Sequence, residues 1–187
     1  MKCRGFTLIE LLTALAVAAI ALTMAVPAFT HMVASSRLTR ASNSFVSALN
    51  TARMQAIRGN EETAFCSNLA AANSTGTLGA ACGTAAGAVY ADISGTSTAV
   101  LAAPSLPDTI QLGTGGATAA VTALRYGGDG LAHAVGNTAP YTGLVADVYS
   151  TQDGADNHRC IYLTTGSVIN TCSQSTSCTA NAPATCQ

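Results

Sequence analysis

Three groups of residues in this chain have the types and spacing for chemistry. His133, His158, Asp129, Asp147, Asp153 and Asp156 form a pool of titratable groups from which an acid/base set could be drawn. They stand among turn residues and match no hydrolytic or transfer motif, so they read as solvated loop positions rather than catalysts. The stretch GGDG (Gly127–Gly130) lacks the Gly-Lys-Ser/Thr of a phosphate loop and reads as a turn. DGADN (Asp153–Asn157) offers oxygens to calcium but lacks the downstream bidentate glutamate of an EF-hand. No catalytic residue, metal or cofactor is assigned. The remaining groups are the cysteines and one glutamate, Glu10, set inside an apolar run.

That run, FTLIELLTALAVAAIALTMAV, spans the 21 residues from Phe6 to Val26. As a helix it reaches about 30 Å, the thickness of a bilayer core. A cleaved secretory signal has a shorter apolar region of about 7 to 15 residues. A retained membrane helix fits better, and Lys2 and Arg4 before it place the amino terminus on the cytoplasmic side. A carboxylate inside such a helix costs about 2.5 kcal/mol or more, so Glu10 calls for a partner.

RGFTLIELLTALAVAAIALTMAVPAF closely resembles the amino-terminal signature of type IV pilins and type II secretion pseudopilins, with Gly5, Phe6, Thr7, Leu8, Glu10 and Pro27 all matching. The resemblance implies cleavage by a prepilin peptidase after Gly5, N-methylation of Phe6, and pairing of Glu10 with the positive amino terminus of a neighbouring subunit in a filament. It also implies residence in the bacterial inner membrane, with a periplasmic domain that is later assembled into a pilus or pseudopilus. The implied partners are other pilin subunits. Pro27 is expected to kink or break the helix by removing a backbone donor.

Cys3 lies in the expected leader, which leaves Cys66, Cys82, Cys160, Cys172, Cys178 and Cys186. No short C-x-x-C or Cys/His cluster suggests zinc. In an extracytoplasmic domain six cysteines suggest up to three disulfides, with 15 connectivities open. Joining sequence neighbours predicts Cys66–Cys82, Cys160–Cys172 across a hairpin, and Cys178–Cys186 closing the tail.

The elements that must carry these residues are a long helix and a set of short strands. Between Phe29 and Arg58, Leu38, Phe45, Leu49, Ala52 and Ala56 recur at helical spacing, while Arg37, Arg40, Asn43, Ser44, Ser47 and Thr51 occupy other angles. Gly59 supplies a stop. Apolar pieces bounded by turn residues then predict strands at 88–93, 98–103, 109–112, 121–126, 143–150, 159–163 and 167–171, the last two forming a hairpin. The expected fold is α+β: a long amino-terminal helix, membrane-spanning and then amphipathic, packed on a disulfide-stapled antiparallel sheet. The expected divisions are a leader (1–5), an assembly helix (6–28), an amphipathic helix (29–59) and a β-rich domain (60–187).

SFVSALNTARMQAIRGNEETAFC, LRYGGDGLAHA and HRCIYLTTGSVINTC resemble the GspH/FimT/FimU-type minor pilins, although no Trp stands near Gly87. The resemblance implies a minor pilin of a type IV pilus initiating or tip complex, with a type II secretion pseudopilin and a DNA-binding FimT-like pilin as alternatives. DNA is disfavoured. Only 9% of the residues are charged and the net charge is −1. From Glu61 onward the only bases are Arg125 and Arg159, against eight acids, and Gly166 is followed by Ser167, Val168 and Ile169 rather than by arginines.

Overall fold

The computed structural model describes residues 6–187 except 74–75, 114–119, 153, 155, 185 and 187; side chains at 24 and 26–28 also fall outside the description. Gly5 and Asp153 therefore lie outside the described residues, as does the side chain of Pro27.

One helix, α1 (Leu8–Gly59), runs from the apolar segment into the domain. It is continuous through position 27, so the expected break is not there; a proline removes one N–H donor, and the bonds of the turns on either side carry the helix on. Its start is built from Thr7 and Glu10. The Thr7 hydroxyl accepts from the Glu10 amide at 3.3 Å, and the Glu10 carboxylate accepts from the Thr7 amide at 2.9 Å and from its hydroxyl at 2.8 Å. This reciprocal arrangement satisfies two orphan donors. The helix ends at Asn60, whose left-handed backbone (φ 50°) turns its amide back to the Ala56 carbonyl.

The strands form two antiparallel sheets. The first has the order β3 (Thr96–Leu101), β2 (Val89–Ile93), β1 (Thr63–Phe65), β5 (Leu124–Tyr126), β6 (Ala132–Ala134). The second has the order β4 (Ile110–Leu112), β7 (Gly143–Ser150), β8 (His158–Thr164), β9 (Val168–Gln174). A short helix, α2 (Thr77–Cys82), packs on the first sheet, tied to the end of β1 by Cys66–Cys82.

The carboxy-terminal half of α1 is the core of the domain. Leu38, Phe45, Leu49, Ala52 and Ala56 are all fully buried, as their spacing predicts. They share one cluster with Phe65, Val89, Leu124 and Tyr126 of the first sheet and with Val145, Val148, Ile161 and Leu163 of the second. Phe45 and Phe65 meet edge to face at 6.5 Å. The small residues Ala48, Ala52 and Ala56 let the sheets approach closely, and Thr63 donates its hydroxyl to the Ala52 carbonyl at 2.8 Å.

Residues 121–122 and the β8–β9 turn join the sheets. Val121 bridges to Ala146, and the Thr122 amide donates to the Val145 carbonyl before the chain enters β5. Gly166 (φ 70°) exchanges backbone bonds with Tyr141 and Ala132, and a Cβ there would lie 2.9 Å from the Ala132 carbonyl oxygen. Only glycine combines that backbone with that clearance.

Candidate functional site

Two features stand outside the ordinary packing of the core: the protruding half of α1, and a covered sheet face that gathers most of the reactive side chains. On the protruding half, Phe6, Leu8, Ile9, Leu11, Leu12, Leu15, Val17, Ile20, Leu22 and Phe29 are all exposed, and Phe6 is 89% exposed. No part of the domain covers them. No helix among the described residues is long and apolar enough to cross a membrane. The run that the sequence reads as a span includes positions 24 and 26, whose side chains lie outside the description. Glu10 is the only acid described on this helix, and its carboxylate is already oriented by Thr7.

The second feature is the face of the second sheet turned away from α1. Alternation along β8 places His158, Cys160 and Tyr162 together on that face, while Ile161 and Leu163 point into the core. Strand register then sets Asp147, Cys160 and Cys172 side by side across β7, β8 and β9, with Tyr149, His158 and Gln174 as the next rung.

The chain beyond β9 lies across this face. Cys178 bonds to Cys160, and Cys186 bonds to Cys172. The expected Cys160–Cys172 and Cys178–Cys186 pairs are therefore replaced, while Cys66–Cys82 forms as expected. Cys160 and Cys172 are cross-strand neighbours already held by backbone pairing, and each turns to the tail above it. Hydrogen bonds to carbonyls of the tail complete the cover: the Leu144 amide donates to that of Ala180 at 3.0 Å, and the Tyr162 hydroxyl to that of Thr179 at 2.9 Å.

Asp147 is the polar centre of the face and is fully buried, which corrects its reading as a solvated loop residue. Its Oδ1 lies 2.7 Å from His158 Nδ1, and its Oδ2 accepts the Cys178 amide at 3.1 Å. His158 stacks on Tyr149, with ring centroids 5.1 Å apart. Gly113 closes one side, because a Cβ there would lie 2.5 Å from Asp147 Oδ2. Donor atoms of Asp147, Cys160 and Cys178 all fall within 4.8 Å of one another, with the two sulfurs joined as a disulfide.

Among the described residues, the other candidate acids and bases do not join this group. Asp129 and His133 line a separate open cleft of about 540 Å³ with Glu62 and Arg125. Asp156 is exposed. Arg125 is tied to Glu62 at 3.3 Å and donates to the Asn73 carbonyl at 2.6 Å. Burial pulls the Arg125 guanidinium below its ordinary pKa, and the Glu62 charge works against that. Arg159 is likewise engaged, donating to the carbonyls of Asp156 and His158.

Two family models match. The prokaryotic N-terminal methylation motif covers residues 1–26, and the type II transport protein GspH family covers residues 41–178, most of the chain. The chain belongs to the GspH family. No curated protein and no solved structure matches it.

Membership in the GspH family places the chain in the type IV pilin and type II secretion pseudopilin superfamily, whose members are structural subunits. The match ends at Cys178, where the tail begins to cross the second sheet. Reading the sequence missed the Asp147–His158 contact. Its visible signal is the alternation of Ala146, Asp147, Val148 and Tyr149, which puts Asp147 on the face opposite Val148; a register shift between Leu144 and Ala146 breaks that alternation in the first half of the strand.

Proposed function

We propose that this GspH-family chain is a minor pilin of a type IV pilus. A prepilin peptidase cuts between Gly5 and Phe6, Phe6 is methylated, and residues 6–28 hold the chain in the inner membrane with its domain on the periplasmic side. From there it enters the initiating or tip complex through α1. The observation that carries this reading is the apolar half of α1, exposed all round and continuous with a half that forms the domain core. A helix that is hydrophobic on every side needs lipid or other helices around it. Glu10 then serves assembly: its carboxylate pairs with the amino terminus of a neighbouring subunit when the helices are in register, which offsets its desolvation. Thr7 pre-sets the carboxylate for that contact.

A second reading, a pseudopilin of type II secretion, is favoured by the description of the matched family as a type II transport protein. DNA uptake has weaker support, because both arginines of the β-rich domain already have partners.

Intact-mass measurement of native protein tests the processing: residues 1–5 lost and one methyl group gained. Glu10→Ala should insert normally and fail to enter filaments; wild-type assembly would sink the role given to Glu10. Deleting the chain distinguishes the two readings. Loss of surface pili with normal secretion supports the minor pilin, and loss of secretion with normal pili supports the pseudopilin.

A further inference from the structure

The first sheet ends in an open edge. Its last strand, β3, forms a hairpin with β2 whose two-residue turn has Ser94 at φ 54° and Gly95 at φ 80°. The Asp92 amide donates away from β3, to the Glu62 carbonyl at 2.9 Å, so the β2 residues that bond β3 are Ala91 and Ile93. Ser97 and Ala99, set opposite Asp92 and Tyr90, therefore turn their N–H and C=O groups outward. Among the described residues no partner takes up these groups. Exposed edges are normally blunted by lysine, proline or a covering segment. Within TSTAVL (Thr96–Leu101) there is neither charge nor proline.

Where β3 ends, a groove of about 510 Å³ opens between Leu101 and Pro104 on one side and Arg40, Ser44 and Ser47 of α1 on the other. The Ser44 hydroxyl already donates to the Arg40 carbonyl at 3.0 Å, which leaves the guanidinium as the group that selects an occupant. Arg40 is exposed and has no carboxylate beside it among the described residues, and α1 carries no acid after Glu10. Arg53, Arg125 and Arg159, by contrast, are each held within the domain. The other sheet edges differ. At β6, Ala132 is already bonded to Gly166 and Tyr141; β4 has three residues; the groove beside β9 has no charged residue in its lining.

We propose that β3 and this groove form a docking site for an extended segment of another protein that carries an acidic side chain. The segment adds a sixth strand to the five of the first sheet, its backbone pairing with Ser97 and Ala99. Its carboxylate meets Arg40 in the groove, where the hydrogen bond is charge-assisted. The backbone ladder supplies the attraction, and the arginine supplies the selection. This contact uses only the part of the chain beyond the apolar half of α1, so it holds whether the chain joins a pilus or a secretion pseudopilus.

The test uses the full chain in detergent and a capped peptide of alternating threonine and valine with an aspartate at each end; a second peptide has asparagine at both ends. Hydrogen exchange read residue by residue should show the aspartate peptide slowing the Ser97 and Ala99 amides by about tenfold or more, while Thr98, already bonded to β2, is unchanged. The asparagine peptide should bind about two- to fivefold more weakly, the size of one exposed ion pair, and Arg40→Gln should erase that difference. Ala99→Pro removes an outward N–H without touching the β2 ladder and should weaken both peptides by about fivefold or more. Protection of Thr98 in the free Ala99→Pro chain checks that the hairpin has formed, and Arg40→Gln, on the exposed helix surface, carries the test if it has not. No slowing at about 1 mM peptide, slowing spread evenly over the hairpin, or equal affinity for the two peptides in the wild-type chain would each overturn the proposal. So would self-association of the chain that Ala99→Pro abolishes, which would give the edge to a second copy.

Discussion

Asp147 and His158 meet on adjacent strands with 2.7 Å between Oδ1 and Nδ1, beneath a length of chain that Asp147 itself holds through the Cys178 amide. The carboxylate is fully buried, so its two partners are what make its burial tolerable. Asp147→Ala strands both and is expected to cost about 3 kcal/mol. His158→Gln, which retains a donor, should cost about 1 kcal/mol. Denaturant midpoints of the two variants check the order, and an Asp147→Ala midpoint equal to wild type would show the pair to be idle.

Peptide mapping without reduction should recover Cys66–Cys82, Cys160–Cys178 and Cys172–Cys186. A linked peptide containing Cys160 and Cys172 would contradict the tail's path across the sheet. Removing the Cys160–Cys178 pair by double substitution should cost about 2 to 5 kcal/mol.

Two tyrosines set the alkaline limit. Burial raises the pKa of both Tyr126 and Tyr141, because it disfavours the phenolate. In the unfolded chain both ionise near pH 10. The stability from keeping them neutral is therefore complete below about pH 10 and falls as pH climbs above it. Tyrosinate absorbance should rise together with loss of structure; ionisation of all the tyrosines in a still-folded domain would refute this.

Leu49 is fully buried between the sheets, whereas Ser44, on the opposite side of the helix, is exposed. Leu49→Ala should cost about 2 to 5 kcal/mol, and Ser44→Ala should stay within about 0.5 kcal/mol. Comparable losses at both positions would mean that the helix does not pack as described.

Double-stranded DNA should bind poorly. Arg125 and Arg159 are engaged within the domain, while Arg37, Arg40 and Arg58 are exposed on α1. A mobility shift at about 150 mM salt should show no micromolar complex. Tight binding lost on replacing those three helix arginines would restore DNA uptake as a function.

The helix face was legible in the sequence because five apolar residues repeat at helical spacing over a long stretch, and each is buried. Strands β7, β8 and β9 were legible because they are long enough to alternate. Strands β1, β4, β5 and β6, three residues each, are too short to show a period; β4 and β5 were marked by apolar pieces between turn residues, whereas β1 and β6 carry no such mark and are held mainly by their neighbours. The site was illegible for a different reason. The Asp147–His158 contact depends on the register of β7 against β8, and Cys178 joins Asp147 and Cys160 only because the tail turns back over the sheet; local pattern carries no information about either. Cys160 and Cys172 show the same limit: they are correctly placed opposite each other, yet each bonds to the tail instead.

The two tail disulfides interleave, since Cys172 lies between Cys160 and Cys178 in the chain, and Cys178 between Cys172 and Cys186. In mechanical terms this makes the end of the domain a closed truss. In a filament of the kind proposed above, tension would reach the domain through α1, and unfolding would ordinarily pay out extended chain. The 18 residues from Cys160 to Cys178 amount to roughly 60 Å of contour, and none of it can lengthen while the bonds hold. A proposed subunit built this way would carry load through its helix while the far end of its domain keeps a fixed length.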